Sequence, residues 1–180
     1  MHYSRGVQLK VLTDDPSNPW YADGLRFTCT QCGNCCSGKP GHVWISREEV
    51  QLLAEHLQLT PAETIEQFCL TINGQLTLRE RRNRHGDYDC IFLRTESSAP
   101  QGDGSGPVFR RRYCGIYPVR PLQCRTWPFW DSNLATEKAW KQAARTCYGM
   151  DRGRKFSLKV IEALRDADKW PDDAPTSQGD

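Results

Sequence analysis

Apolar residues along the chain fall into short groups separated by polar turns. The stretch "GLRFTC" (24–29) alternates as a strand does and leads into a loop, and "HVWIS" (42–46) reads as a second strand leading out of it. Ser46 to Glu49, "SREE", is a capping-box pattern with Val50, Leu53 and Leu57 behind it at helical spacing, which predicts a helix over 47–58. "TPAE" at 60–63 repeats the signal with Pro61 at the first helical position. Ile65, Phe68, Cys69 and Ile72 are then expected to line one face of a second helix. "QLTLRE" (75–80) and "YDCIFL" (88–93) predict a β-ribbon around the charged turn "RRNRHGD". "RTESSAPQGDGSGP" (94–107) is rich in Gly, Ser and Pro and predicts a flexible surface linker. A phosphate loop is not supported there, because no strand-to-helix context or Lys-Ser/Thr pair follows.

Pro118, Pro121 and Pro128 forbid a long helix or central strand in "VFRRRYCGIYPVRPLQCRTWPFW", which leaves a rigid, turn-rich segment. Two more helices are predicted over 136–146 and 157–169, the latter with Val160, Ile161 and Leu164 as an apolar stripe. The expected fold is α+β: a small, loop-rich single domain of short helices and a β-ribbon, organised around a cysteine-ligated metal centre. Its expected parts are an N-terminal arm (1–26), a cysteine-cluster metal-binding domain (27–153), a C-terminal helix packing on it (154–170) and a disordered tail (171–180).

Composition explains why such a fold needs a metal. Leu, Ile, Val and Phe make up 34 of 180 residues, close to the level at which hydrophobic burial alone fails to offset the entropy of ordering a chain. Nine cysteines offer an alternative source of stability. The formal charge of +2 shows no bias toward nucleic acid, and none is expected as a partner. No secretory signal pattern is legible and no stretch reaches the ~18–20 apolar residues of a membrane span, so the chain is expected in the cytoplasm, without a membrane partner. In that reducing compartment dense cysteine spacing points to metal ions rather than to disulfides.

"CTQCGNCC" (29–36) carries the strongest signal. Cys29, Cys32 and Cys35 have the C-x2-C-x2-C spacing of the first three ligands in a bacterial ferredoxin run. Cys36 follows Cys35 directly, and successive side chains in extended or turning backbone tend to point apart, so the doublet is expected to serve two centres or one wide multinuclear centre. Cys90, Cys114, Cys124 and Cys147 supply a second half-set. Eight thiolates suit an iron–sulfur centre, of 4Fe–4S type, or all-cysteine zinc sites as the alternative cofactor. Arg110, Arg111, Arg112, Arg120 and Arg125 lie near in sequence to offset the charge of such a centre. Cys69, among Ile65, Phe68 and Ile72, reads as a small core hydrophobe. His42 and His85 read as solvated loop residues, and Trp127 and Trp130 as shields of a cluster from water.

"FTCTQCGNCC", "CIFL", "CGIYPVRPLQCRTWPF" and "CYGMDRG" together resemble the YkgJ-type cysteine-cluster family, a zinc- or iron-chelating domain known by its CxxCxxCC signature. The resemblance runs from about 27 to 153, with Tyr148 where the family usually has Pro. It implies a small cytoplasmic metal-binding protein. Through the related cysteine domain of flagellin lysine N-methylases it also implies an iron–sulfur centre, and a methyltransferase using S-adenosylmethionine as a further alternative. Against that activity, the C-x3-C-x2-C spacing of radical enzymes is absent and no glycine-rich fingerprint opens a helix. No residue pattern marks a general base or a nucleophile.

Overall fold

The computed structural model describes residues 18–98 and 109–167. In chain order the elements are β1 (Leu25–Phe27), β2 (Ser37–Gly38), α1 (Arg47–Leu57), α2 (Pro61–Phe68), β3 (Cys69–Ile72), β4 (Gln75–Leu78), β5 (Glu80–Arg82), β6 (Tyr88–Cys90), β7 (Leu93–Ser98), β8 (Phe109–Cys114), α3 (Leu122–Thr126), α4 (Asp131–Leu134), α5 (Glu137–Ala144), β9 (Arg154–Phe156) and α6 (Leu158–Ala167). The strands form four small antiparallel sheets, ordered β1-β9, β2-β6-β5, β3-β4 and β7-β8. The fold is α+β, as the residue pattern predicts.

Both capping boxes form. The Ser46 hydroxyl accepts from the Glu49 amide at 3.2 Å while the Glu49 carboxylate accepts from the Ser46 amide at 3.0 Å. Thr60 and Glu63 exchange the equivalent pair at 3.2 and 2.8 Å. A capping hydroxyl satisfies a helix-start amide that otherwise has no partner within the helix. Ser46→Ala and Thr60→Ala are each expected to lower stability by about 1 kcal/mol, additively because the two helix starts share no partner. Thermal melts of the two variants and the double variant check this, and a double variant as stable as the parent contradicts it.

Two hydrophobic cores result. The first packs Tyr21, Phe27, Phe129, Trp140, Met150 and Ile161, and gathers β1, β9, α4, α5 and α6. Trp140 is anchored inside it by an indole N–H donating to Asp151 Oδ1 at 2.8 Å. The second packs Val50, Leu53, Cys69, Leu78, Phe92 and Ile116, and gathers α1, β3 and β4. Among the described residues no helix is long and apolar enough to cross a membrane.

Several expectations are corrected. The second helix stops at Phe68, and Cys69 to Ile72 leave it as β3, paired with β4 through Asn73 and Gly74, both at positive φ. An Asn-Gly pair in that conformation is the preferred two-residue hairpin turn, and it overrides the helical spacing of the apolar residues. "HVWIS" makes no strand; it runs beside β4 through the single bridge Trp44–Thr77 and the bonds Ile45 N to Leu76 O and Leu78 N to Val43 O. "YDCIFL" is broken at Ile91 and Phe92, so Tyr88–Cys90 pairs with β5 and Leu93 onward with β8. Residues 94–98 of the expected linker are strand, held by Glu96 opposite Arg111 and by the Tyr113 hydroxyl donating to Glu96 at 2.6 Å. The rest of that linker, 99–107, lies outside the described residues. Val160 is 38% exposed, whereas Ile161 is fully buried, so the stripe of the last helix is narrower than its sequence suggests. Residues 168–169 of that helix, the tail 171–180 and residues 1–17 of the expected arm lie outside the described residues. Within 18–26, Trp20 and Tyr21 pack with the first core.

Candidate metal centre

The cysteines are delivered by short elements and the loops that join them. Cys29 follows β1, whose path is fixed by the Phe27–Met150 bridge and by Thr28 N donating to Gly149 O at 3.0 Å. This close crossing explains two glycines of "CYGMDRG". A Cβ on Gly149 would lie 2.0 Å from the Thr28 carbonyl oxygen, and one on Gly153, at φ +71°, 1.8 Å from the Thr28 hydroxyl. Cys147 ends the turn after α5 and, with Cys29, packs against the first core. The loop between them is tied down by Asn34 Nδ2 donating to Thr146 O at 2.8 Å.

Residues Asn34–Cys36 form a 3-10 turn entered through Gly33 in the left-handed conformation. This corrects the expectation that Cys35 and Cys36 point apart: a 3-10 turn rotates successive side chains by about 120° rather than reversing them, and the two sulfurs lie 4.0 Å from each other. Ser37 and Gly38 then pair with β6, which brings the doublet beside Cys90. Asp89 fastens this junction, accepting from the Ser37 hydroxyl at 2.5 Å and from Asn83 Nδ2 at 3.0 Å, with Arg112 at 3.7 Å. Cys114 ends β8, and Cys90 and Cys114 both pack against the second core. Cys124 rides on α3. The Leu122 amide at the start of α3 donates to Glu49 Oε1 at 2.6 Å, and Gln123 Oε1 accepts from the Trp44 amide at 2.7 Å.

All eight candidate ligands, Cys29, Cys32, Cys35, Cys36, Cys90, Cys114, Cys124 and Cys147, line one cavity of ≈350 Å³. It lies at the seam between the two cores. Cys69 is outside it, buried at 2% exposure in the second core. His42 lines the cavity while remaining exposed and stacks 4.9 Å from Trp44; His85 is exposed in the ribbon turn and does not line it. Trp127 donates its indole N–H to Cys147 Sγ at 3.4 Å and meets Trp130 edge-on, and both rings line the cavity.

The thiols are electrostatically crowded. Cys36 faces both Cys114 and Cys35, and sharing its proton with them pushes its own pKa up. That same contact holds Cys35 and Cys114 down to about 7. Burial pushes Cys90 up to about 11, helped by the charge of Cys114, and raises Cys124 well above the ordinary thiol range, helped by Cys35, Cys90 and Cys114. The Arg120 charge lowers all three of Cys35, Cys114 and Cys124, adding to the shift of the first two and opposing that of the third. Five thiols therefore share one field. Of the five arginines expected to offset them, Arg120 alone lines the cavity.

The donor set fits a soft metal. Sulfur ligands select zinc and iron–sulfur chemistry over hard cations. The Cys35–Cys36 separation is near the ~3.8 Å edge that tetrahedral zinc with ~2.3 Å bonds imposes on its sulfurs. Among the described residues, however, no three Cys, His, Asp or Glu groups meet at the spacing of a single bound ion. The sulfurs line a shared cavity wall. Glu49, Asp89 and Gln123 brace this wall and Tyr117 lines it, and the sequence marks none of them as a site residue. Glu49 was legible only as a cap, and the others carry no sequence signal beyond proximity to a cysteine.

A family profile described as "CxxCxxCC: Putative zinc- or iron-chelating domain" matches residues 28–148. An uncharacterized protein of Methanocaldococcus jannaschii is 26% identical over 110 residues, which is 61% of this chain and 48% of that protein. The chain thus spans about half the length of that relative. No solved structure matches.

Proposed function

Because the chain belongs to the CxxCxxCC family of zinc- or iron-chelating domains, we propose that its metal is an iron–sulfur centre of 4Fe–4S type, held by the cavity cysteines for structure, electron transfer or sensing. The observation that carries this reading is the gathering of eight thiols, from five separate stretches of chain, around one ≈350 Å³ space. One tetrahedral ion uses four sulfurs converging on a point. A 4Fe–4S core seats four thiolates, one on each iron, and so accepts sulfurs spread around a cavity wall; eight thiols supply two such sets or one larger cluster. Trp127 and Trp130 then serve to keep water from part of the centre, and exclusion of solvent is one of the determinants of cluster potential.

The zinc reading, in which two structural sites organise a binding module, draws on the 4.0 Å Cys35–Cys36 pair. Protein purified without oxygen separates the two. The expected result is a brown protein with iron and acid-labile sulfide in nearly equal amounts. Colourless protein with stoichiometric zinc and no sulfide replaces it with the zinc reading. A methyltransferase activity would require S-adenosylmethionine to bind the metal-loaded chain, and calorimetric titration is expected to show no binding.

A further inference from the structure

A metal bound by several thiolates carries net negative charge, and a partly buried site must balance it. The chain brings five arginines near its cysteines in sequence, and the fold sorts them. Arg125 reaches Glu49 at 3.2 Å, and Arg112 faces Asp89 at 3.7 Å. Arg110 and Arg111 are exposed on β8. Arg120 differs from all four. It is half-buried and lines the cavity with the eight thiols. Among the described residues no carboxylate lies within ion-pair distance of it.

Its orientation is fixed as well. The guanidinium carbon sits 3.8 Å from the centre of the Tyr117 ring, and Nε donates to the Tyr117 carbonyl at 3.2 Å. Pro118 and Pro121 restrict the backbone on either side, and Pro121 is fully buried. A guanidinium stays charged at any relevant pH and has no lone pair to offer a metal. Held over an aromatic face, it has already given up the rotamer freedom that a mobile surface arginine would lose on pairing.

From this placement we propose that Arg120 is the fixed counter-cation of the metal centre, a positioning residue that sets how firmly the metal is kept and how readily it is reduced without being a ligand. The inference rests on the reading that the cavity holds a metal. Reduction adds negative charge, so a cation at the cavity wall favours the reduced form. Its loss also weakens the hold on thiolates, which repel one another.

The test compares the wild-type chain with Arg120→Gln and Arg120→Lys, all purified without oxygen. Metal per chain, the rate of metal loss to a competing chelator and the midpoint potential are measured. Arg120→Gln is expected to load metal but to lose it on the order of tenfold faster, because one solvent-screened attraction at a partly exposed wall is removed. Its potential is expected to shift negative where the centre is redox-active. Arg120→Lys keeps the charge and is expected to stay close to wild type on both readouts. A Gln variant that matches wild type overturns the proposal, and so does a Lys variant as impaired as Gln, which would assign the effect to stacking. Should the Gln variant fail to fold, the Lys variant decides alone: wild-type retention and potential support the proposal, and loss of either overturns it. A wild-type chain that carries no metal overturns the proposed function as well, which separates the two failures.

Discussion

Cys124→Ser is expected to abolish stable metal binding and, with it, cooperative unfolding. The reason is architectural. Cys29 and Cys147 pack against one core and Cys90 and Cys114 against the other, so a metal in the cavity fastens two modest hydrophobic clusters that otherwise meet along a seam. The binding energy of a structural metal–thiolate site is on the order of 10 kcal/mol, comparable to the ~5–15 kcal/mol that separates a folded domain from its unfolded state. A serine at 124 replaces a soft donor with one that binds zinc or iron far less well. It also leaves Arg120 facing a wall with one thiolate fewer. The variant should be recovered as aggregate or as protease-sensitive protein with no sharp melt, and chelating metal from the wild-type chain should reproduce that state. A soluble, metal-free Cys124→Ser chain with a single sharp transition would show that the cores hold together unaided.

The second large effect is expected at Glu49, whose carboxylate does three jobs. One oxygen closes the capping box of α1 on the Ser46 amide. The other accepts from the Leu122 amide at 2.6 Å, an otherwise unpaired amide at the start of α3, and from Arg125 at 3.2 Å. The Arg125 side chain is 53% exposed, so that ion pair adds little. The other two bonds are to a charged acceptor that is only 13% exposed, and such bonds contribute roughly 1.5–3 kcal/mol each when intact. Glu49→Ala is expected to cost about 3 kcal/mol and to lower the melting temperature of the loaded protein by on the order of 10 °C. Because α3 carries Cys124, the same variant should release metal faster. Glu49→Gln keeps an acceptor for the Leu122 amide and should recover part of both losses. Melts and chelator competition on the two variants check this, and an Ala variant within 1 kcal/mol of the parent would mean that water takes over the Leu122 amide.

What could be read from the sequence is what depends on neighbours along the chain. The two capping boxes, Pro61 at a helix start and the α5 start at Thr136 are local hydrogen-bonding patterns, and they stand where expected. The cysteines were legible because their types and spacing imply one chemistry, and Cys69 stood apart because its neighbours are apolar. The overrun of the second helix was also a local matter: Asn73-Gly74 announced a hairpin, but the spacing of Ile65, Phe68 and Ile72 pointed to a longer helix. Other features were not legible in principle. The pairing of β1 with β9 joins residues 25–27 to 154–156; the alternation in "GLRFTC" announces β1, but three-residue β9 announces nothing and no local signal names it as the partner. Glu49 shows as a cap, but nothing at position 49 tells that α3 will be laid against it. Five arginines look alike in a sequence, and only the direction each side chain takes in three dimensions separates Arg120 from the rest.

The seam has a consequence for how the protein is made. Its cavity wall draws on positions from 27 to 147, so a chain emerging from the ribosome has no complete pocket until the last cysteine has cleared the exit tunnel. The first four thiols are close together in sequence, whereas the other four follow one at a time over the next hundred or so residues. Closing a loop of more than a hundred residues costs only slightly more entropy than closing a short one, and the crossing of Thr28 with Gly149 and Gly153 completes the enclosure. The pocket wall is therefore complete only once both ends of this span have met, whatever the order in which its other pieces form.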